Sequence, residues 1–521
     1  MQYSTFAAID IGSYDVILEI FEISKKQGIR SVDKICHRME LGKDTYTLGK
    51  IRPEMEEELC RVLADFVRIM EGYRVDDYRA AASSAISEAS NSLYVLGKIH
   101  QLTGLSVTVL SNSEQRFLGY KALAAMEDNF NKVIEKGTAI LDLDGGSFQI
   151  SLFDKDALVT TQNIRMGSLR VRERLAGIQS ETEHYEEMVE ELIWNEVSSF
   201  KKMYLKDRKI ENIMLIGDVF TDSVYQNIEE KTTKIISREN FNTWYEKIIR
   251  QSPMELAVKL GIPLENASLM YPSAVIYKCL IDMMEAEHVW IPGVHMTRGI
   301  EYEYAEQMKL QKGSHNFEND ILAAARNMAK KYKCHASHNQ VLEQYAMNIF
   351  DSTKRFHGLG ERDRLLLQIA VTLHACGKFI SMKNSNECGY ALIMSTEIIG
   401  LSHLEREIIA NVVRYNIRDF DYDMMQLETE AGQDLAGVSD RTAITILIAK
   451  LTAILRLANS MDKTHKAKLI DSRMAVRDGR LVITTGYQGD LALESASFEQ
   501  KAAFFEEIFG IRPVLKQKRR V

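Results

Sequence analysis

The chain has 521 residues, 45% hydrophobic and 26% charged, with a net charge of −8, which suits three or four domains of ordinary soluble composition. That acidic balance argues against a general nucleic-acid binder, and the absence of eighteen consecutive apolar residues argues against a membrane span. The six cysteines form no CxxC pair, and the opening MQYSTFAAIDIGS lacks a basic, apolar leader; reduced thiols and a cytoplasmic location are expected.

In chain order, residues 6–13 read as an apolar strand that carries Asp10 and runs into a glycine turn at Gly12 and Ser13, and 16–23 as the returning strand. Residues 53–70 have helical apolar spacing with acids in the first turn. A strand at 106–110 leads into a helix from Ser111 through Met126, with Glu114 and Gln115 at its start. The pattern then recurs. Residues 137–142 form a strand ending at Asp142, Asp144-Gly145-Gly146-Ser147 a turn, and 148–153 the returning strand, which carries Gln149. Two such hairpins, each with an aspartate at the strand end, imply a duplicated α/β fold with a cleft between two lobes. Their turns present backbone N–H groups suited to phosphate.

After about residue 310 the character changes: 317–333, 338–355, 362–378, 389–400, 403–415 and 440–461 read as helices with no strand among them. The last fifty residues alternate again, as strands at 473–476 and 481–485 joined by an Asp478-Gly479 turn, then a helix at 498–509. The tail from Lys516 to Arg520 is the one dense basic cluster.

The two glycine turns resemble the phosphate loops of the actin-like (ASKHA) ATPase fold, and more narrowly those of the exopolyphosphatase/guanosine-pentaphosphate phosphohydrolase family. Further landmarks are Ser83-Ser84-Ala85-Ile86-Ser87-Glu88, Ser111-Asn112-Ser113-Glu114-Gln115, Met166-Gly167-Ser168-Leu169-Arg170 and Thr297-Arg298-Gly299. In the helical part they are His338, His374-Ala375 and His403. The resemblance implies lobe I at 1–125, lobe II at 126–310, an all-α HD-like domain at 311–466 and a small α+β segment at 467–521. It also implies Mg²⁺, inorganic polyphosphate or guanosine polyphosphate as ligand, and a homodimer, with neither nucleic acid nor membrane as partner. By the same resemblance Gly12, Ser13, Ser87, Gly145, Gly146, Ser147 and Arg170 would bind phosphate, and Asp10 and Asp142 the metal. Arg172 and Lys43 are further candidates.

The chain departs from the family pattern at catalytic positions. The second glutamate of a Glu-Glu pair reads Gln115, a later glutamate reads Gln149, and a phosphate-binding arginine reads Ser87. Tyr14 replaces an asparagine, Asp144 a glycine, and Gly217-Asp218 a Gly-Gly pair. An amide keeps a carboxylate's shape but accepts no proton at neutral pH; Glu114, one residue before Gln115, is the candidate replacement base. In the HD-like region Ala375 and Asn459 stand where metal-binding aspartates are expected, which leaves His335, His338, His374 and His403 as candidate ligands. The resulting expectation is a phosphoanhydride hydrolase releasing terminal phosphate, weakened by these substitutions. Two alternatives stand beside it: a catalytically inactive relative that binds polyphosphate, (p)ppGpp or a nucleotide, and an ATP-dependent kinase-like member of the same fold.

Overall fold

The computed structural model describes residues 4–24, 28–126, 130–155, 157–176, 185–227, 235–310, 315–422 and 438–518. The chain divides into two compact units, the first ending at Phe317 and the second running on to the C-terminus.

The first unit holds two mixed sheets. One is built from β1 (Ser4–Ile11), β2 (Asp15–Ser24), β3 (Gly28–Arg38), β4 (Asp77–Ala82) and β5 (Val107–Val109), in the order β3-β2-β1-β4-β5. The other contains β6 (Thr138–Leu143), β7 (Phe148–Asp154), β8 (Ala157–Ile164), β9 (Asn212–Ile216), β10 (Ile235–Ser237) and β11 (His288–Trp290), in the order β10-β11-β9-β6-β7-β8. In both, an antiparallel three-strand meander is followed by a strand parallel to the first, β4 beside β1 and β9 beside β6. The duplication expected from the two hairpins is therefore present in the topology. Buried runs such as Ala7, Ile9 and Ile11 in β1 and Ala139 and Leu141 in β6 anchor separate apolar cores, one per lobe.

The helix Met296–Gln307 does not stay with the second sheet, although it falls within the segment expected as lobe II. It packs on β1, β2 and the helix Asn112–Met126 of the first lobe, with Tyr304 stacked on Phe6 at 4.0 Å between ring centroids. This crossing ties the lobes together. It also buries Glu301, whose Oε1 has no hydrogen-bond partner and whose carboxyl burial pushes up to about 8, against the pull of Arg298. An acid with a raised folded pKa stabilises fully only below its unfolded value, and that contribution is lost as pH rises towards the folded one. Glu301→Gln is therefore expected to match the wild type near pH 4.5 and to gain on it up to pH 8, by about 2–4 kcal/mol in denaturant titrations.

In the second unit, helices from Phe317–Lys331 to Val438–Met461 are followed by a three-stranded sheet of β12 (Arg473–Arg477), β13 (Arg480–Thr485) and β14 (Arg512–Gln517), with the helix Ala492–Phe509 between the last two. β14 was not foreseen; it absorbs the start of the basic tail, whose residues 519–521 lie outside the described ones. The helix Ala492–Phe509 packs along Val438–Met461, and Arg456 lies 4.5 Å over the Phe504 ring. By length and composition, 441–461 is apolar enough to cross a membrane, contrary to the count of uninterrupted apolar residues. Leu451, Ile454, Leu455 and Ala458 are fully buried in this unit, as in the core helix of a bundle.

Candidate active site

Each hairpin of the first unit closes with the same tight turn. Gly12 N–H donates to Asp15 O at 2.8 Å and Asp144 N–H to Ser147 O at 2.9 Å, so Asp10 and Asp142 stand at equivalent places two residues ahead. The two turns meet. A Cβ added at Gly145 would lie 3.2 Å from that of Ser13, and Gly12 and Gly145 line one cavity of about 420 Å³. Asp10, Asp142 and Asp144 line it too, with Gln115 and Arg116 from the helix Asn112–Met126. The exposed alternate positions of β3, Lys34, Cys36 and Arg38, form part of its wall.

The cavity is rich in carboxylates held under strain. Burial, then the charges of Asp15 and Asp144, push the Asp10 carboxyl well above the usual range. Burial takes Asp15 and Asp142 to about 6 and Asp218 to about 7. Asp142 is held down from a higher value by Arg116, whose Nη1 lies 3.0 Å from Oδ1 while Nη2 donates to the Ser147 hydroxyl at 3.0 Å. Glycines at 119 and 217 make room for this carboxylate: a Cβ on Gly217, whose φ is +84°, would come within 2.9 Å of Asp142 Oδ1.

Such a concentration of acid repels a bare polyanion and favours one that brings a cation. Asp10 Oδ1 is buried with no hydrogen-bond partner, so a carboxylate oxygen is available to a Mg²⁺ ion. Among the described residues, no three His, Cys, Asp or Glu side chains are grouped closely enough to hold a metal by themselves. The fit is to a hydrated ion shared with phosphate oxygens, the usual habit of magnesium.

The expected site residues separate into two sets. Asp10, Gly12, Gln115, Asp142 and Gly145 line the cavity; Ser13, Ser87, Glu114, Gly146, Ser147, Gln149 and Arg170 do not. Glu114 turns back to cap its own helix, accepting from Ser111 N–H at 3.0 Å and from the Ser111 hydroxyl at 2.7 Å. The roughly 100° step between helix neighbours sends Gln115 to the cavity and Glu114 away from it. Gln149 is 2% exposed on β7, its Nε2 directed to Ser151. The Ser147 hydroxyl is held by Arg116. Ser87 ends the short helix Ser84–Ser87, and the arginine that would have stood there has no stand-in on the cavity wall from Arg170. Arg170 donates to Glu88 at 2.9 Å and to Gly146 O at 2.8 Å, and Arg172 forms a two-bonded pair with Glu40 at 2.9 Å. Both arginines latch one lobe to the other.

Sequence reading missed Lys34, Arg38 and Arg116. The alternation along β3 was available as a signal; Arg116, on the other side of Gln115 from Glu114, carries none in the sequence.

In the second unit His338 and His374 come together with His465, which was not anticipated. His338 Nδ1 is 2.7 Å from Oδ2 of Asp462, a carboxylate three residues beyond Asn459. The His338 and His465 rings stack in parallel at 3.8 Å. Parallel rings direct their nitrogens side by side and not towards one point, in keeping with the absence of a metal-holding group among the described residues.

The model of the Ppx/GppA phosphatase family matches residues 20–308, and that of Ppx/GppA phosphatase domain III matches 322–501. The chain belongs to the Ppx/GppA phosphatase family. It is 20% identical over 415 residues to the guanosine-5'-triphosphate,3'-diphosphate pyrophosphatase of Photobacterium profundum, covering 78% of this chain and 80% of that one. The protein of the same name from Vibrio parahaemolyticus is 18% identical over 416 residues, with the same coverage. Among solved structures, an exopolyphosphatase from Cytophaga hutchinsonii superposes with a TM-score of 0.52 at 17% identity, over 59% of this chain and all of that one. At that identity the likeness speaks for the fold.

Proposed function

We propose that the cleft takes up the end of a magnesium-bearing phosphoanhydride chain, inorganic polyphosphate or a guanosine polyphosphate, and hydrolyses the terminal anhydride slowly. The observation that carries this reading is the meeting of Gly12 and Gly145 at one acid-lined cavity. The family relatives' names, pyrophosphatase and exopolyphosphatase, support the reaction class.

In this reading the carboxylate lost at position 115 has moved across the cleft. Gln115 Nε2 donates to Asp144 Oδ2 at 3.3 Å, while Gly145 N–H donates to Oδ1 at 2.6 Å. Asp144 is thereby aimed into the cavity with lone pairs still open, placed to accept the proton of an attacking water. A bound Mg²⁺ supplies charge neutralisation on phosphate oxygens, with Asp10 among its carriers. Lys34 and Arg38 offset charge further along the chain, and Arg116 fixes Asp142 and Ser147 so that the second turn keeps its shape.

The two amides favour a second reading, a relative that binds the chain without turning it over. Phosphate release from polyphosphate and from pppGpp separates the two. Under the first reading the wild type releases phosphate, and Lys34→Glu/Arg38→Glu, which reverses two exposed wall charges, weakens affinity at least about tenfold. Binding without release supports the second reading. Neither binding nor release removes both.

The remaining expectations, an HD-like second unit acting as a scaffold, a homodimer and a cytoplasmic location, are carried as part of this proposal.

A further inference from the structure

A side chain fills the space between the same two turns on the side away from the cavity-lining residues. Tyr46, on the helix Leu41–Leu48, places its hydroxyl 2.7 Å from Ser13 Oγ and 2.9 Å from Ser84 Oγ. A Cβ added at Gly146 would collide with that hydroxyl. Arg170, which donates to Gly146 O at 2.8 Å, lies 3.9 Å over the Tyr46 ring. Two serine hydroxyls and a glycine turn around one oxygen, with an arginine over the ring that carries it, make a seat whose chemistry suits a phosphoryl oxygen. Here the oxygen is phenolic. Ser13, Gly146 and Arg170 were expected to bind phosphate and are absent from the cavity wall; each of them meets Tyr46 instead.

We propose that Tyr46 is the specificity-determining stopper of this cleft. Its hydroxyl holds the place that a terminal phosphoryl group would take, and the chain end seats fully only when the ring swings out. Tyr46 is half-buried and packs on the small cluster of Tyr14, Leu169 and Leu269, outside the main apolar core of either lobe, so an outward swing gives up that edge contact and leaves both lobe cores intact. The inference rests on the proposed function, because it concerns the same ligand and the same turns. A competing closed state lowers apparent affinity by the fraction of molecules left open. Two hydrogen bonds, each contributing about 0.5–1.5 kcal/mol, set that fraction at about one in ten.

The test is titration of the full-length protein with magnesium tripolyphosphate, with phosphate release followed in parallel. Tyr46→Ala is expected to tighten binding about tenfold, and Tyr46→Phe, which keeps the ring but loses both hydrogen bonds, about fivefold. The gain should fall on KM with kcat unchanged, a split that loosened packing does not produce. Equal or weaker binding by folded Tyr46→Ala overturns the proposal; should that variant not fold, unchanged binding by Tyr46→Phe overturns it. Lys34→Glu/Arg38→Glu tells the two failures apart. If it weakens binding while the Tyr46 variants change nothing, the stopper fails and the cleft stands. If wild type and charge-reversed protein both bind nothing, the cleft reading fails and the stopper with it.

Discussion

Asp144→Asn lowers kcat for phosphate release from magnesium tripolyphosphate by about 10²–10⁴-fold, with KM within about threefold of wild type. The asparagine still accepts from Gly145 N–H, as Asp144 Oδ1 does at 2.6 Å, so the turn keeps its geometry and only the proton acceptor is removed. Gln115→Glu in the Asp144→Asn background recovers part of the loss, since position 115 faces the same cavity. Gln149→Glu recovers none: its side chain is 2% exposed, away from the cavity, and a charge there would be buried without a partner. A change in kcat below threefold for Asp144→Asn would remove Asp144 from the chemistry.

Arg116→Met destabilises the folded chain by about 3–5 kcal/mol, the cost of leaving one member of a buried ion pair uncompensated. The Arg116 side chain is 3% exposed and Asp142 13%, so water from the cavity makes up only part of the lost guanidinium. The Ser147 hydroxyl loses its guanidinium donor at the same time, and the Ser147 carbonyl keeps only Asp144 N–H. In Arg116→Met/Asp142→Asn the carboxylate is neutral as well, and more than half of the loss should return. Urea titration of the three variants measures both. A single-variant cost below about 1 kcal/mol would show that Asp142 is already neutral, or solvated, in the folded protein.

The repeated hairpin was legible because its signal is local: an apolar strand, an aspartate and a glycine turn within a dozen residues, met twice. The two turns were also correctly expected to face one hollow, as Gly12 and Gly145 do. What escaped was whatever depends on the third dimension. Arg116 reaches Asp142 from 26 residues away, and nothing in the string Glu114-Gln115-Arg116 says which of the three faces inwards. Tyr46 carries no mark in the sequence until Ser13, Ser84 and Gly146 are assembled around it. Arg170 and Arg172 look free to hold phosphate in sequence, yet Glu88 and Glu40 lie across the cleft from them. Asp144, in the sequence only a replaced glycine, gains a hydrogen-bonded orientation once Gln115 stands opposite.

The most direct test of the cleft is a crystal structure of the protein grown with magnesium and tripolyphosphate. The account predicts phosphate density in the cavity against the backbone of the turns at Gly12 and Gly145, with Lys34 and Arg38 along the chain. A well-ordered tripolyphosphate bound elsewhere on the first unit, with this cavity holding only water, would contradict it.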